Sequence, residues 1–264
     1  LDHGRLVWLA WQGARTFDAD YEFEGTERTA ELIDPLTGET GRVPLAAPSD
    51  RRRALRLVLE PGQSVLMRLV DDLDGLPEWR WRRLGEIAQR LDSEWRVEFL
   101  EGGPARPASF HTRRLESWAH RGDVAAEAFS GTACYRIEFD VQPLETQSRT
   151  VSNPWTEREW LLDLGDVRHV ARARLNGRDL GARVQRPYRW TIPAGLLRAA
   201  GNRLEVEVTN LAANRIRDLD RRGVQWRIFH DINFVNIRYR PFDASGWPTM
   251  PSGLLGPAAI VGTR

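Results

Sequence analysis

The sequence predicts an all-β protein, an antiparallel β-sandwich preceded by a partial or small β-domain. Three observations predict it. Apolar and polar residues alternate with a period of two in many short runs, which turns one face of each run to a core and the other to water. The breaks between these runs carry turn residues at regular spacing. Helical periodicity is confined to two short stretches, so the strand–helix alternation of a parallel sheet or barrel is missing.

In chain order, Leu6-Val7-Trp8-Leu9-Ala10-Trp11 reads as a strand that begins in mid-domain. It falls far short of the ~20 apolar residues needed to cross a bilayer, so no membrane partner is expected. Neither a Met nor a basic leader precedes it, and the chain reads as a piece of a longer polypeptide. Alternation continues at Tyr21–Glu24, Leu55–Leu59 and Val65–Val70, with turns at Asp34-Pro35-Leu36-Thr37-Gly38 and Glu60-Pro61-Gly62. Leu84–Leu91 has apolar spacing compatible with a short helix, weakened by Gly85. A seam is expected between Asp71 and Ser93, giving a small or partial β-domain over residues 1–92 and a sandwich over 93–264. The sandwich draws strands from Trp95–Phe99, Tyr135–Val141 and Leu204–Val208. Asn176-Gly177, between Ala171–Leu175 and Asp179–Gly181, is a hairpin turn of the kind that needs positive φ. Pro193–Ala199 is compatible with one helical turn ended by Gly201.

Composition bounds the function. The 264 residues suffice to bury a core without staples. With 38 basic against 37 acidic side chains, the net charge of +1 offers no nucleic acid the basic surface it needs. The chain has Arg but no Lys, which removes phosphate-loop and Schiff-base lysines. Cys134 stands alone, which excludes an internal disulfide and a Cys-rich zinc site. His3, His111, His120, His169 and His230 show no metal-binding spacing. No cofactor is expected. A structural calcium, held by carboxylates and backbone carbonyls, is compatible with a sandwich, but no ligands can be assigned to it.

One ordered set of segments carries more. Phe129–Val141, Trp160–Val167, Leu175-Asn176-Gly177, Pro187–Ile192, Gly201–Val206, Val208-Thr209-Asn210, Asn214–Asp218 and Ser252–Pro257 together resemble the C-terminal region of α-L-rhamnosidases of glycoside hydrolase family 106. Their middle portion is similar to the sugar-binding domain of family 2. Upstream, Leu32–Glu39 resembles that family's Asp-Pro-x-Thr-Gly turn, and Trp95–Phe99, Gly103-Pro104 and Leu115–Trp118 fall in the expected order. The resemblance covers nearly the whole chain. It implies a jelly-roll, galactose-binding-like fold and a catalytic barrel elsewhere in the parent chain as partner. It also implies a rhamnose- or galactose-containing glycan as ligand, and favours a periplasmic or secreted location.

A glycosidase needs two carboxyl groups about 5–9.5 Å apart. The resemblance puts that pair on the barrel. The acidic pairs present here, Glu157 with Glu159 and Asp218 with Asp220, read as same-face strand or turn carboxylates in water, so no catalytic residue is expected. Sugar recognition needs an aromatic platform beside hydrogen-bonding polar groups. The stretch from Trp226 to Trp247 is richest in both: Trp226, Phe229, Asp231, Asn233, Tyr239, Arg240 and Trp247, with His230, Asn236 and Asp243 among them. It breaks the alternation and reads as a long excursion, where binding residues tend to sit. The competing reading is that Trp226, Phe229 and Phe234 cap the core. Asn214, Arg215 and Asp218 form a second candidate group, with a local structural network as its alternative. Trp155 is a third candidate, as an exposed platform, whereas Trp95, Trp118 and Trp160 are expected in the core. The expectation is therefore a non-catalytic, carbohydrate-binding or barrel-buttressing region of an α-L-rhamnosidase-like glycoside hydrolase. A free-standing hydrolase with an unrecognised carboxylate pair and a purely structural interaction module stay open as alternatives.

Overall fold

The computed structural model describes residues 5–71, 75–81, 84–141, 155, 158–228, 235, 237 and 239–263. They gather into two compact units, one drawn from residues up to Gly85 with Gln185–Pro187 and Thr263, the other from residues within Glu86–Val184 and Tyr188–Gly262. The strands are antiparallel, and the architecture is an all-β sandwich.

The first unit holds β1 (Arg5–Ala10), β2 (Phe17–Glu24), β3 (Thr29–Ile33), β4 (Thr40–Pro44), β5 (Ala46–Ser49), β6 (Arg52–Leu59) and β7 (Ser64–Val70). They form two sheets, ordered β1-β7-β3-β4 and β2-β6-β5. Alternation builds the core: Leu55, Leu57 and Leu59 of β6 meet Val65, Met67 and Leu69 of β7 together with Ala30 and Leu32 of β3. On the other face Arg56 pairs with Asp18 of β2 at 2.8 Å. The β3–β4 hairpin is closed by the Asp-Pro-Leu-Thr-Gly turn. There the Asp34 carboxylate accepts from Leu36 N at 2.8 Å, and Gly38 takes the left-handed φ of 74° that side chains resist.

The second unit holds β8 (Leu84–Arg90), β9 (Trp95–Gly103), β10 (Phe110–Thr112), a 3-10 turn (Trp118–His120) and helix α1 (Val124–Ala128). These are followed by β11 (Ser130–Phe139), β12 (Trp160–Asp163), β13 (Asp166–Arg168), β14 (Val170–Leu175), β15 (Arg178–Arg183), β16 (Arg189–Ile192) and β17 (Asn202–Thr209). Helix α2 (Ala213–Arg221), β18 (Gly253–Gly256) and β19 (Ala259–Thr263) complete it. A six-stranded sheet, β10-β9-β11-β17-β14-β15, faces a four-stranded one, β16-β12-β19-β8, with β13 and β18 paired beside them. Their inner faces share one core. Val97, Phe99, Tyr135, Ile137 and Val206 of the larger sheet pack with Trp160, Leu162, Trp190 and Ile260 of the smaller. Trp95, Trp118, Trp160 and Trp190 are fully buried. Each indole contributes roughly 4–6 kcal/mol of gross transfer free energy, which makes them the largest single terms in this core. The outer face of the larger sheet is charged, with Arg136 bridging Glu98 and Glu205 at 2.7 and 3.0 Å.

Four local expectations change. Leu84–Arg90 is a strand, because its place beside β19 outweighs a helical spacing already weakened by Gly85. Pro193–Ala199 makes only a turn, closed by Leu196 N to Pro193 O at 3.2 Å. Two helices appear that periodicity did not announce. Helix α1 is too short to show a period and is capped by Asp123 on Ala125 N at 2.9 Å. Helix α2 has only Ile216 and Leu219 as large apolar residues, too few to show a period in the sequence, and Asn214 is its buried residue. The Asn176-Gly177 turn joins β14 to β15 with φ of 52° and 83°.

Candidate functional site

Helix α2 is fastened at its start by two asparagines. Asn210, at the end of β17, accepts from Gly131 N and donates to Phe129 O and Ser252 Oγ, each at 2.9 Å. Asn214, 1% exposed, donates to Met250 O and accepts from Met250 N, both at 2.8 Å. With both ends of its amide taken by backbone, Asn214 is a structural clamp and not the sugar contact anticipated for it. Arg215 and Arg222 both reach the Asp218 carboxylate, at 3.4 and 3.0 Å, which makes that group a local network on the helix surface.

Asp218 and Asp220 do not share a face, because two residues on a helix are about 200° apart. Asp220 turns the other way. Its side chain is 3% exposed. Oδ1 accepts from Trp226 Nε1 and Arg227 Nη2, both at 2.7 Å, and Oδ2 accepts from Ala244 N at 2.8 Å. The chain can turn back onto this carboxylate because Gly223 follows the helix with φ of 66°. Arg227 Nη2 also donates to Phe242 O at 2.9 Å, and its guanidinium lies 5.2 Å from the Trp226 ring. Phe242 meets Trp226 and Trp247 edge-on, at 6.1 and 5.5 Å, so the three rings form a row that ends at Trp247, 39% exposed.

An open pocket of about 260 Å³ lies at this end of the helix. Asp220, Gly223, Val224 and Gln225 line it from the helix side, and Arg227, Phe242 and Asp243 complete the lining. The Asp243 carboxyl is held below its usual range by hydrogen bonds from Ser245 and by the nearby Arg227 guanidinium. Such a pocket offers a guanidinium, an amide and a carboxylate beside an aromatic face, the functional groups that bind hydroxyls and C–H surfaces. Asp220 already accepts three hydrogen bonds, so its chemistry is that of a fixed anchor. Among the described residues, no three His, Cys, Asp or Glu side chains converge as metal ligands.

The anticipated residues are distributed unevenly around this pocket. Trp226 and Trp247 come together through Phe242. Tyr239, 78% exposed with φ of 56°, and Arg240 lie on the surface of the same excursion. Phe229, Asp231 and Asn233 lie outside the described residues. Trp155 is not an exposed platform: it is 2% exposed and stacks on Trp160 with ring centroids 4.4 Å apart, because the core takes its indole. Residues that the sequence reading passed over are Gln225, Arg227 and Phe242. The one local signal for them was a helix-ending Gly223 placed between an acid and a Trp-Arg pair.

No protein-family model matches the chain. Two likenesses relate it to glycoside hydrolases. A rhamnosidase of Novosphingobium sp. PP1Y superimposes with a TM-score of 0.70 at 27% identity, across 98% of this chain and 23% of that one. A candidate beta-glucuronidase of Formosa agariphila is 30% identical over 190 residues, 64% of this chain and 15% of that protein. The chain thus spans less than a quarter of the length of either relative.

Proposed function

We propose that the chain is a non-catalytic, carbohydrate-binding β-sandwich region of a longer, α-L-rhamnosidase-like glycoside hydrolase, with its small β-domain over residues 1–92 and its jelly-roll domain over 93–264. The observation that carries this reading is the likeness to a rhamnosidase across 98% of the chain. The pocket beside Arg227 and the aromatic row ending at Trp247 support sugar binding, and the saturation of Asp220 by three donors supports a role without bond cleavage. The expected ligand is a rhamnose- or galactose-containing glycan.

A second role, packing against a catalytic barrel of the parent chain, is favoured by the edge strand β1. Leu6 and Trp8 share one of its faces and are 60% and 70% exposed, a surface that a covering partner would remove from water.

Affinity gel electrophoresis of the chain through plant and bacterial polysaccharides tests the first role. Retardation that Trp247→Ala abolishes, with the fold intact, supports it; no retardation by any polysaccharide leaves packing as the function. Incubation with aryl α-L-rhamnoside and aryl β-galactoside tests the rest. Turnover above the buffer rate that disappears in a carboxylate variant would overturn the non-catalytic reading.

A further inference from the structure

The pocket at the end of α2 is more selective than a generic sugar site, and this step rests on the sugar-binding reading above. We propose that it takes one uncharged pyranose, and that Asp243 turns acidic sugars away.

The first argument is the state of Arg227. Its Nη2 is spent on Asp220 and on Phe242 O. Its Nε is buried and, among the described residues, has no hydrogen-bond partner. Recognition of a carboxylate by arginine uses two parallel N–H groups from adjacent nitrogens. With Nη2 taken and Nε enclosed, that fork is closed, and among the described residues Nη1 is the guanidinium nitrogen left uncommitted. A single nitrogen with N–H groups to spare suits hydroxyl oxygens.

The second argument is charge. The described lining carries two carboxylates, Asp220 and Asp243, against the one guanidinium of Arg227. Arg227 is already matched by Asp220, so Asp243 sets the sign that an entering group meets. A sugar hydroxyl donates to Asp243, whereas a sugar carboxylate is repelled by it. The third argument is size: about 260 Å³ lies below the ~300–1,000 Å³ of drug-sized pockets and suits a single ring, with Val224 and Phe242 as the apolar part of the lining.

Titration of the intact chain at pH 7 with methyl α-L-rhamnoside, methyl β-galactoside and methyl β-glucuronide, followed by NMR, tests this. A neutral glycoside is expected to bind near the millimolar level, and the glucuronide about tenfold more weakly. Asp243→Asn, nearly the same shape, should bring the two within about threefold, and Arg227→Gln should weaken the neutral sugar about tenfold. Equal binding of glucuronide by the unaltered chain, or a ratio that Asp243→Asn leaves alone, overturns the selectivity while leaving sugar binding in place. Silence toward all three sugars from a folded chain overturns the sugar-binding reading, and this proposal with it.

Discussion

Asp220 and Arg227 meet at 2.7 Å with the Asp220 side chain only 3% exposed, and this pair ties the end of α2 to the segment that follows it. A carboxylate so enclosed is tolerated only when it is paired and its lone pairs are occupied. Trp226 Nε1 and Ala244 N supply the remaining bonds. One side chain thereby holds Trp226, Arg227 and Ala244 together beside the pocket.

Removing that acceptor should be costly. Asp220→Ala leaves Arg227, the Trp226 indole and Ala244 N without it, and is expected to lower stability by about 2–3 kcal/mol in urea denaturation. A loss below about 0.5 kcal/mol would mean that water replaces the carboxylate at no cost.

Two glycines separate backbone strain from collision. Gly177, with φ of 83°, has open space where a Cβ would go, so Gly177→Ala should cost about 1 kcal/mol. A Cβ on Gly131 would lie 2.1 Å from Glu101 O and 2.6 Å from Gly102 Cα, both backbone atoms that cannot step aside. Gly131→Ala should therefore cost at least about 3 kcal/mol or prevent folding. Melting curves of the two variants side by side decide it, and equal losses would show that β9 and β11 can part freely.

The lone thiol gives a pH dependence with a definite sign. Cys134 is 2% exposed, and burial pushes its thiol up to about 11 despite the opposing pull of Arg136. The folded state thus holds this proton more tightly than the unfolded state. The resulting stability is fully present below pH 9 and is lost as the pH rises toward 11. Between pH 8 and pH 10 the chain should lose roughly 1.4 kcal/mol more than Cys134→Ala does. A matching slope in the variant would show that the thiol titrates alike in both states. Thiol reagents at pH 8 should label Cys134 only after denaturation.

Trp155 belongs to the core and not to a binding face. Its contact with Trp160 predicts that Trp155→Ala costs about 3–5 kcal/mol. Under conditions where that variant stays folded, glycoside binding should be unchanged. Normal stability with impaired sugar binding would restore Trp155 as a platform.

Much of the sandwich is written in alternation that depends only on neighbours in sequence. Leu55–Leu59, Val65–Val70, Trp95–Phe99 and Leu204–Val208 each turn every second residue inward, and each is a strand. The hairpin at Asn176-Gly177 follows from the same local logic, since positive φ is a property of the residues themselves. Composition alone removes lysine chemistry and an internal disulfide.

The site is another matter. Leu84–Arg90 carries a helical spacing and is a strand because of the sheet beside it, and Trp155 is enclosed because Trp160 lies against it. Asn214 reads as a polar contact until Met250, far along the chain, takes both ends of its amide. Asp220 becomes an anchor only once Ala244 arrives to donate to it. By itself, then, the sequence determined which residues turn inward and where the chain reverses, because both follow from backbone sterics and local polarity. Tertiary structure alone decided which polar groups are spent on one another and which are left uncommitted among the described residues, because hydrogen bonding and desolvation depend on partners that folding brings together from distant parts of the chain.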